Sequence, residues 1–129
     1  MDKVESVQRY FTKRLSGPSQ LSYRDRLVNL DLQTLERRRL VYDLVFCYKI
    51  LHGLREVSLP VELSCSNTRG NNLKLAKHFC FNDVRKYFFN NRVVDAWNSL
   101  SNNVFLSPSV AIFKKRQCTV NLDRFVTAL

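Results

Sequence analysis

Apolar residues recur at helical spacing along most of this chain, and the breaks in the pattern fall at residues that end helices. Near the start, Val4, Val7 and Phe11 stand three and four apart, with Asp2 and Glu5 placed as a capping box. This predicts a helix over Lys3–Arg14. Gly17 and Pro18 end it. Ser22 is a cap for a short helix through Leu30, with Asp25 in its first turn, and a bend over Asp31–Gln33 leads to the next cap, Thr34. From Thr34 to His52 the helical pattern is strongest. Leu40, Val41, Leu44, Val45, Tyr48 and Leu51 make one apolar face, and Gly53 stands where a helix C-terminal cap belongs.

The second half is less regular. Leu54–Asn72, with Pro60, Asn67 and Gly70, reads as a connector. Leu73–Phe81 partly alternates apolar and polar residues, which predicts a strand or extended arm, although Ala76 and Cys80 blur the period. Asn82 is a cap for a helix reaching Leu100, with Phe89, Val93, Ala96, Trp97 and Leu100 on one face and Phe88 and Val94 to either side. Ser107 and Pro108 resemble a cap and first helical position, opening a last helix that includes Val110 and Phe113; beyond Arg116 the periodicity weakens. The expected fold is mainly α: a small helical domain of about four to five helices with one short extended or hairpin element. As a single domain or fragment, 1–129 divides into a helical part (1–53), a connector (54–72), and an extended element with C-terminal helices (73–129).

Composition adds two constraints. The chain has 129 residues, 45% of them hydrophobic, with nine Phe, five Tyr and one Trp, enough for one core. Its net charge is +10, from 21 Lys and Arg against 11 Asp and Glu. Such an excess attracts polyanions, nucleic acid first and anionic membrane second. The N-terminus is charged from its second residue, unlike a signal peptide, and no apolar run approaches the roughly 20 residues that span a bilayer. The expectation is a cytoplasmic or nuclear protein, not secreted, with no membrane partner. Its four cysteines, Cys47, Cys65, Cys80 and Cys118, are then reduced thiols, with Cys47 a small hydrophobe in a helical run.

Catalytic chemistry is hard to find in these residues. The glycines Gly17, Gly53 and Gly70 stand alone, so there is no phosphate loop or dinucleotide fingerprint and no cofactor is expected. The two histidines, His52 and His78, are far apart, and His52 falls at a helix end where a cation complements the dipole. Cys65, His78 and Cys80 lie in one region but lack the paired spacing of structural zinc sites. No catalytic or metal residues are assigned, and no small-molecule substrate is expected.

The basic residues are the remaining candidates. Arg37, Arg38 and Arg39 fall in the first turns of the strong helix, where its dipole disfavours positive charge. Two explanations stand. In one, Asp31 and Glu36 neutralise the cluster, or the apolar stripe has left the core by that turn. In the other, an anion such as a backbone phosphate docks there. Arg9, Lys13, Arg14, Arg85, Lys86 and Arg92 are the other candidate contacts, spread across elements as suits backbone tracking more than base reading. The ordinary alternative is a set of solvated helix faces. Tyr87, Phe88, Phe89 and Trp97 could stack bases, but the spacing of Phe89 and Trp97 favours core packing.

Several phrases, in one order, carry a family resemblance. The chain reads V-Q-R-Y-F-T-K-R from Val7, L-S-Y-R-D-R-L from Leu21, T-L-E-R-R-R-L from Thr34 and Y-K-I-L-H-G from Tyr48. It continues with T-R-G-N-N-L-K-L from Thr68, Y-F-F-N-N-R-V-V-D-A-W-N-S-L from Tyr87, and S-P-S-V-A-I-F-K-K from Ser107. From about Val4 to Arg116 this resembles the C-terminal tail, the thumb and post-thumb region, of the RNA-directed DNA polymerase (reverse transcriptase) of non-LTR retrotransposons of the LINE and jockey-like group. Asn71 stands where that family has His, Ser101-Asn-Asn103 replaces a Pro-Glu-Glu-like turn, and the match ends after Arg116. Met1 begins where the family would still be continuing from its polymerase domain, which suggests a severed tail.

The resemblance implies helices that hold a template–primer duplex, with Arg9, Lys13, Arg14 and Arg37–Arg39 on RNA or DNA backbone and the polymerase body as a further partner. It does not imply enzymatic activity. The polymerase reaction needs two metal ions held by carboxylates, and the family's Y-x-D-D type motif is absent. The expectation is a non-catalytic fragment with nonspecific nucleic-acid affinity; the alternative is a helical protein-interaction module that binds no nucleic acid.

Overall fold

The computed structural model describes residues 2–15, 17–57, 62–65, 72–79, 81 and 88–126. The fold is mainly helical. Among the described residues it has α1 (Asp2–Arg14), α2 (Tyr23–Asn29), α3 (Leu35–Leu51), α4 (Phe89–Asn98), α5 (Asn102–Phe105) and α6 (Val110–Gln117), with 3-10 turns at Pro18–Gln20 and Asp123–Phe125. No helix there is long and apolar enough to cross a membrane. The chain divides into two compact units, the first Met1–Leu40 with Leu122–Leu129 and the second Val41–Asn121.

The ends of α2 and α3 follow the sequence. Ser22 caps α2, its hydroxyl accepting from Asp25 N, and Thr34 caps α3, its hydroxyl accepting from Arg37 N at 3.2 Å. At the far end of α3, Gly53 takes a left-handed φ of 66°. Its N–H bonds Ile50 O at 3.0 Å and that of Leu54 bonds Lys49 O at 2.8 Å, which satisfies two terminal carbonyls.

In the second unit, Leu44, Val45, Cys47 and Tyr48 of α3 are buried, as are Val93, Val94, Ala96 and Trp97 of α4, Val104 and Phe105 of α5, and Phe113 of α6. Trp97 is fully enclosed, with its ring centroid 5.0 Å from Phe105 and 6.1 Å from Phe113, which itself stacks on Tyr48 at 4.4 Å. Trp97 is therefore core and Phe89 packs edge-on to Phe46, while Phe88 is exposed. Asn82–Tyr87, including the expected cap of this helix, lie outside the described residues.

Among the described residues the extended element is a single bridge rather than a strand. Leu63 and Leu75 form one isolated antiparallel bridge, with Ser64 N on Lys74 O and Ala76 N on Glu62 O, both at 2.8 Å. What holds it is α4. The Asn98 side-chain amide pairs with both backbone groups of Leu75 at 2.9 Å, and Trp97 Nε1 donates to Leu73 O at 2.8 Å. Asn98 thus takes the place of a neighbouring strand.

The start of the last helix needs correcting. Ser109, not Ser107, caps α6, its hydroxyl accepting from Ile112 N at 3.3 Å. Ser107 is buried instead: its hydroxyl donates to Val104 O and its carbonyl accepts from the Tyr48 hydroxyl. The four residues of α5 escaped the sequence pattern, being too short to show a period. At the end of α6, Gln117 is buried with its amide unpartnered among the described residues.

Removing the Asn98 amide leaves Leu75 N–H buried without an acceptor. Asn98→Ala is expected to lower unfolding stability by about 1–3 kcal/mol, read by urea denaturation.

Candidate nucleic-acid interface

In the first unit, Leu27, Leu40 and Leu122 are buried together with the polar residues Glu5, Thr12, Arg26 and Thr34. In α1 two stripes run side by side, each spaced three and four: Val4, Val7 and Phe11, and one residue later Glu5, Gln8 and Thr12. The hydrophobic effect alone would turn the first stripe inward. The structure turns the second inward: Glu5 is 3% exposed and Thr12 0%, while Val7 is 66% and Phe11 63% exposed. The predicted helix is present; the face it buries is the polar one.

Hydrogen bonding explains the choice. The Glu5 carboxylate accepts from the Tyr23 hydroxyl, at the start of α2, and from Leu35 N, the first residue of α3, at 3.0 Å. The Thr12 hydroxyl donates to Gln8 O and accepts from Arg26 Nε at 3.3 Å; the buried Arg26 also donates to Leu21 O at 2.6 Å. Gln8 Nε2 reaches Gln33 O at 3.0 Å. The Glu5 carboxylate thus bonds partners on α2 and α3.

This bears on the Arg37–Arg39 cluster. The anion at the start of α3 is Glu5, a carboxylate of the chain's own first helix, placed where the helix dipole favours negative charge. Arg37 pairs with Asp123, Nη1 to Oδ1 at 2.5 Å, from the C-terminal 3-10 turn. The acids that meet this helix start thus include two that are remote in sequence. Arg38 is exposed on the rim of an open cleft with Leu27, Val28, Asp31, Leu32 and Gln33, and Arg39 is exposed one residue on.

The remaining candidates divide between the two units. Arg9, Lys13 and Arg14 are exposed on α1; the Arg9 guanidinium lies 5.0 Å from the Tyr23 ring and that of Arg14 lies 4.1 Å from Tyr10. Arg92, in the second unit, is half-buried and directs Nε and Nη2 to Asp43 Oδ2 at 2.8 and 2.6 Å. Arg85 and Lys86 lie outside the described residues. Among the described residues, no ion pair engages Arg9, Lys13, Arg14 or Arg38. Sequence reasoning missed Tyr23, Arg26 and Thr12. The spacing of Glu5, Gln8 and Thr12 was a signal for them, hidden by the stronger apolar stripe beside it.

Among the described residues no group of three His, Cys, Asp or Glu side chains could hold a metal ion. His78 pairs with Glu62 at 3.2 Å, and His52 lies beside Tyr48 with its Nε2 3.2 Å from Phe105 O. Comparison with protein-family models, curated proteins and solved structures finds no significant match to this chain.

Burial pushes the Cys47 thiol up to about 12, so at neutral pH it carries almost no thiolate. Iodoacetamide on the native protein is expected to modify Cys65 and Cys118, both exposed, and to leave Cys47 unmodified in the peptide mass map. Urea unfolding should then expose it.

Glu5→Ala is expected to cost about 2–3 kcal/mol in urea denaturation, the range for losing hydrogen bonds to a buried carboxylate. Tyr23 gives an alkaline readout. Its burial, and then its bond to Glu5, raise the phenol above its ordinary value. Because the folded state holds this proton more tightly than the unfolded chain, the contribution is complete below about pH 10 and is lost as pH rises beyond it. Tyr23→Phe should remove that alkaline loss.

Proposed function

We propose that this chain is a non-catalytic helical region that holds RNA or DNA by its phosphate backbone, as its resemblance to the tail of non-LTR retrotransposon reverse transcriptases implies. The observation that supports it is the separation of charge in the first unit. Glu5 and Asp123 are engaged by α3, whereas Arg9, Lys13 and Arg14 on α1 and Arg38 on α3 are exposed without an ion-pair partner among the described residues. Cations left in this way can neutralise phosphates without first breaking internal bonds. The stacked positions of Arg9 and Arg14 on tyrosine rings also limit the side-chain entropy lost on contact. The reading assigns backbone affinity rather than base specificity and no reaction, consistent with a sequence that lacks the polymerase carboxylate motif.

Four phosphate contacts predict that affinity for a labelled RNA–DNA duplex falls about a hundred-fold between 50 and 200 mM salt. The triple variant Arg9→Glu, Lys13→Glu, Arg14→Glu should reduce the slope of log affinity against log salt by about 3. Arg37→Ala, which removes a partner of Asp123, should change binding less. Salt-independent binding, absent binding, or a triple variant with the parent's slope would reject the reading.

A further inference from the structure

The outward stripe of α1 is left unexplained by phosphate contact. Val4, Val7, Tyr10 and Phe11 are all more than half exposed on this one helix, although its sequence could have turned them inward. The inward face cannot exchange with them, because Glu5 and Thr12 are bonded to Tyr23, Leu35 and Arg26. The apolar stripe is thus fixed on the surface by the buried polar residues behind it. Clustered exposed apolar side chains on one helix mark a contact surface.

We propose that this face docks an acidic-edged amphipathic helix of another protein, with Val4, Val7 and Phe11 packing against its apolar residues. The commitment comes from charge. Lys3, Tyr10 and Arg14 form the line beside the apolar stripe, with Arg14 seated over the Tyr10 ring at 4.1 Å, and Lys13 and Arg9 follow further round. A partner helix lying along the stripe meets this basic edge and needs Asp or Glu there. A second copy of the chain is the poorer occupant. Antiparallel twofold pairing along α1 would set the Lys3–Arg14 edge against itself, and either orientation would join two chains of net charge +10. A nucleic-acid backbone complements the basic edge but offers little to bury Val4, Val7 and Phe11.

The probe is a labelled synthetic helix with Leu along one face and Glu on both edges, titrated with the full chain by fluorescence anisotropy. A matched peptide carries Lys in place of Glu. Saturable binding of the acidic-edged peptide is expected, with the Lys-edged peptide at least ten-fold weaker. Val7→Ser with Phe11→Ser should reduce binding ten-fold or more while leaving the circular dichroism spectrum and duplex binding unchanged, since both side chains are exposed. Lys3→Glu, which alters only charge, should narrow the difference between the two peptides. Equal binding of both peptides, or binding unmoved by the serine variant, overturns the proposal. So does a dimer in sedimentation velocity, or binding to phosphatidylserine vesicles, that the serine variant abolishes: the face would then belong to a second copy or to lipid. Loss of duplex binding alone, with peptide binding intact, would count against the phosphate reading and not against this one.

Discussion

A buried carboxylate organises the first unit. Glu5 projects from α1 into a site where it accepts from the first residue of α3 and from the hydroxyl of the first residue of α2. Removing a carboxylate from water is costly unless donors replace the lost hydration, and a helix N-terminus supplies both a donor and a favourable dipole. Once Glu5 is fixed there, helical geometry determines the rest of α1: Gln8 and Thr12 lie on the same face, and each finds a polar partner. The stripe one residue earlier must then point elsewhere. The exposure of Val7 and Phe11 follows from the demands of the anion, not from any local preference of those side chains.

The same constraint separates two kinds of basic residue. At the start of α3, an isolated helix end with three arginines would be a receptive place for an external anion. With Glu5 on Leu35 N and Asp123 on Arg37, part of that capacity is satisfied internally. Along α1, Arg9, Lys13 and Arg14 have aromatic or solvent neighbours and form no ion pair among the described residues. A ligand phosphate reaching them competes with water; one reaching Arg37 competes with a carboxylate already in place.

Helix existence was legible because local signals agree with one another. Ser22, Thr34 and Gly53 cap as their side chains, or lack of one, dictate, and the apolar face of α3 is buried at Leu44, Val45 and Tyr48. Facing was less legible. Periodicity reports that a stripe exists but not what will cover it, and in α1 two stripes were offset by one residue. The deciding partners, Tyr23 and Leu35, lie 18 and 30 residues from Glu5, and Asp123 lies 86 from Arg37. No window that reads a helix can contain those pairs. The cap of α6 was misplaced for a smaller reason: Ser107 and Ser109 flank one proline, and tertiary bonds from Tyr48 claim the first.

The phrases that carry the family resemblance acquire a physical meaning in the second unit. In N-L-K-L and W-N-S-L, Leu75 and Asn98 are 23 residues apart, yet Trp97 and Asn98 of the second phrase hold the backbone of Leu73 and Leu75 in the first. An indole N–H and a carboxamide suit this work because together they supply two donors and one acceptor to extended backbone that, among the described residues, has one isolated bridge beside it. Leu75 can then be buried beside the aromatic core without orphaning its N–H. Both phrases are thus tied to holding a chain segment in place rather than to chemistry on a ligand. Packing alone accounts for these two phrases, whereas the proposed contacts lie on α1, where another phrase of the resemblance, V-Q-R-Y-F-T-K-R from Val7, holds Arg9, Phe11, Lys13 and Arg14.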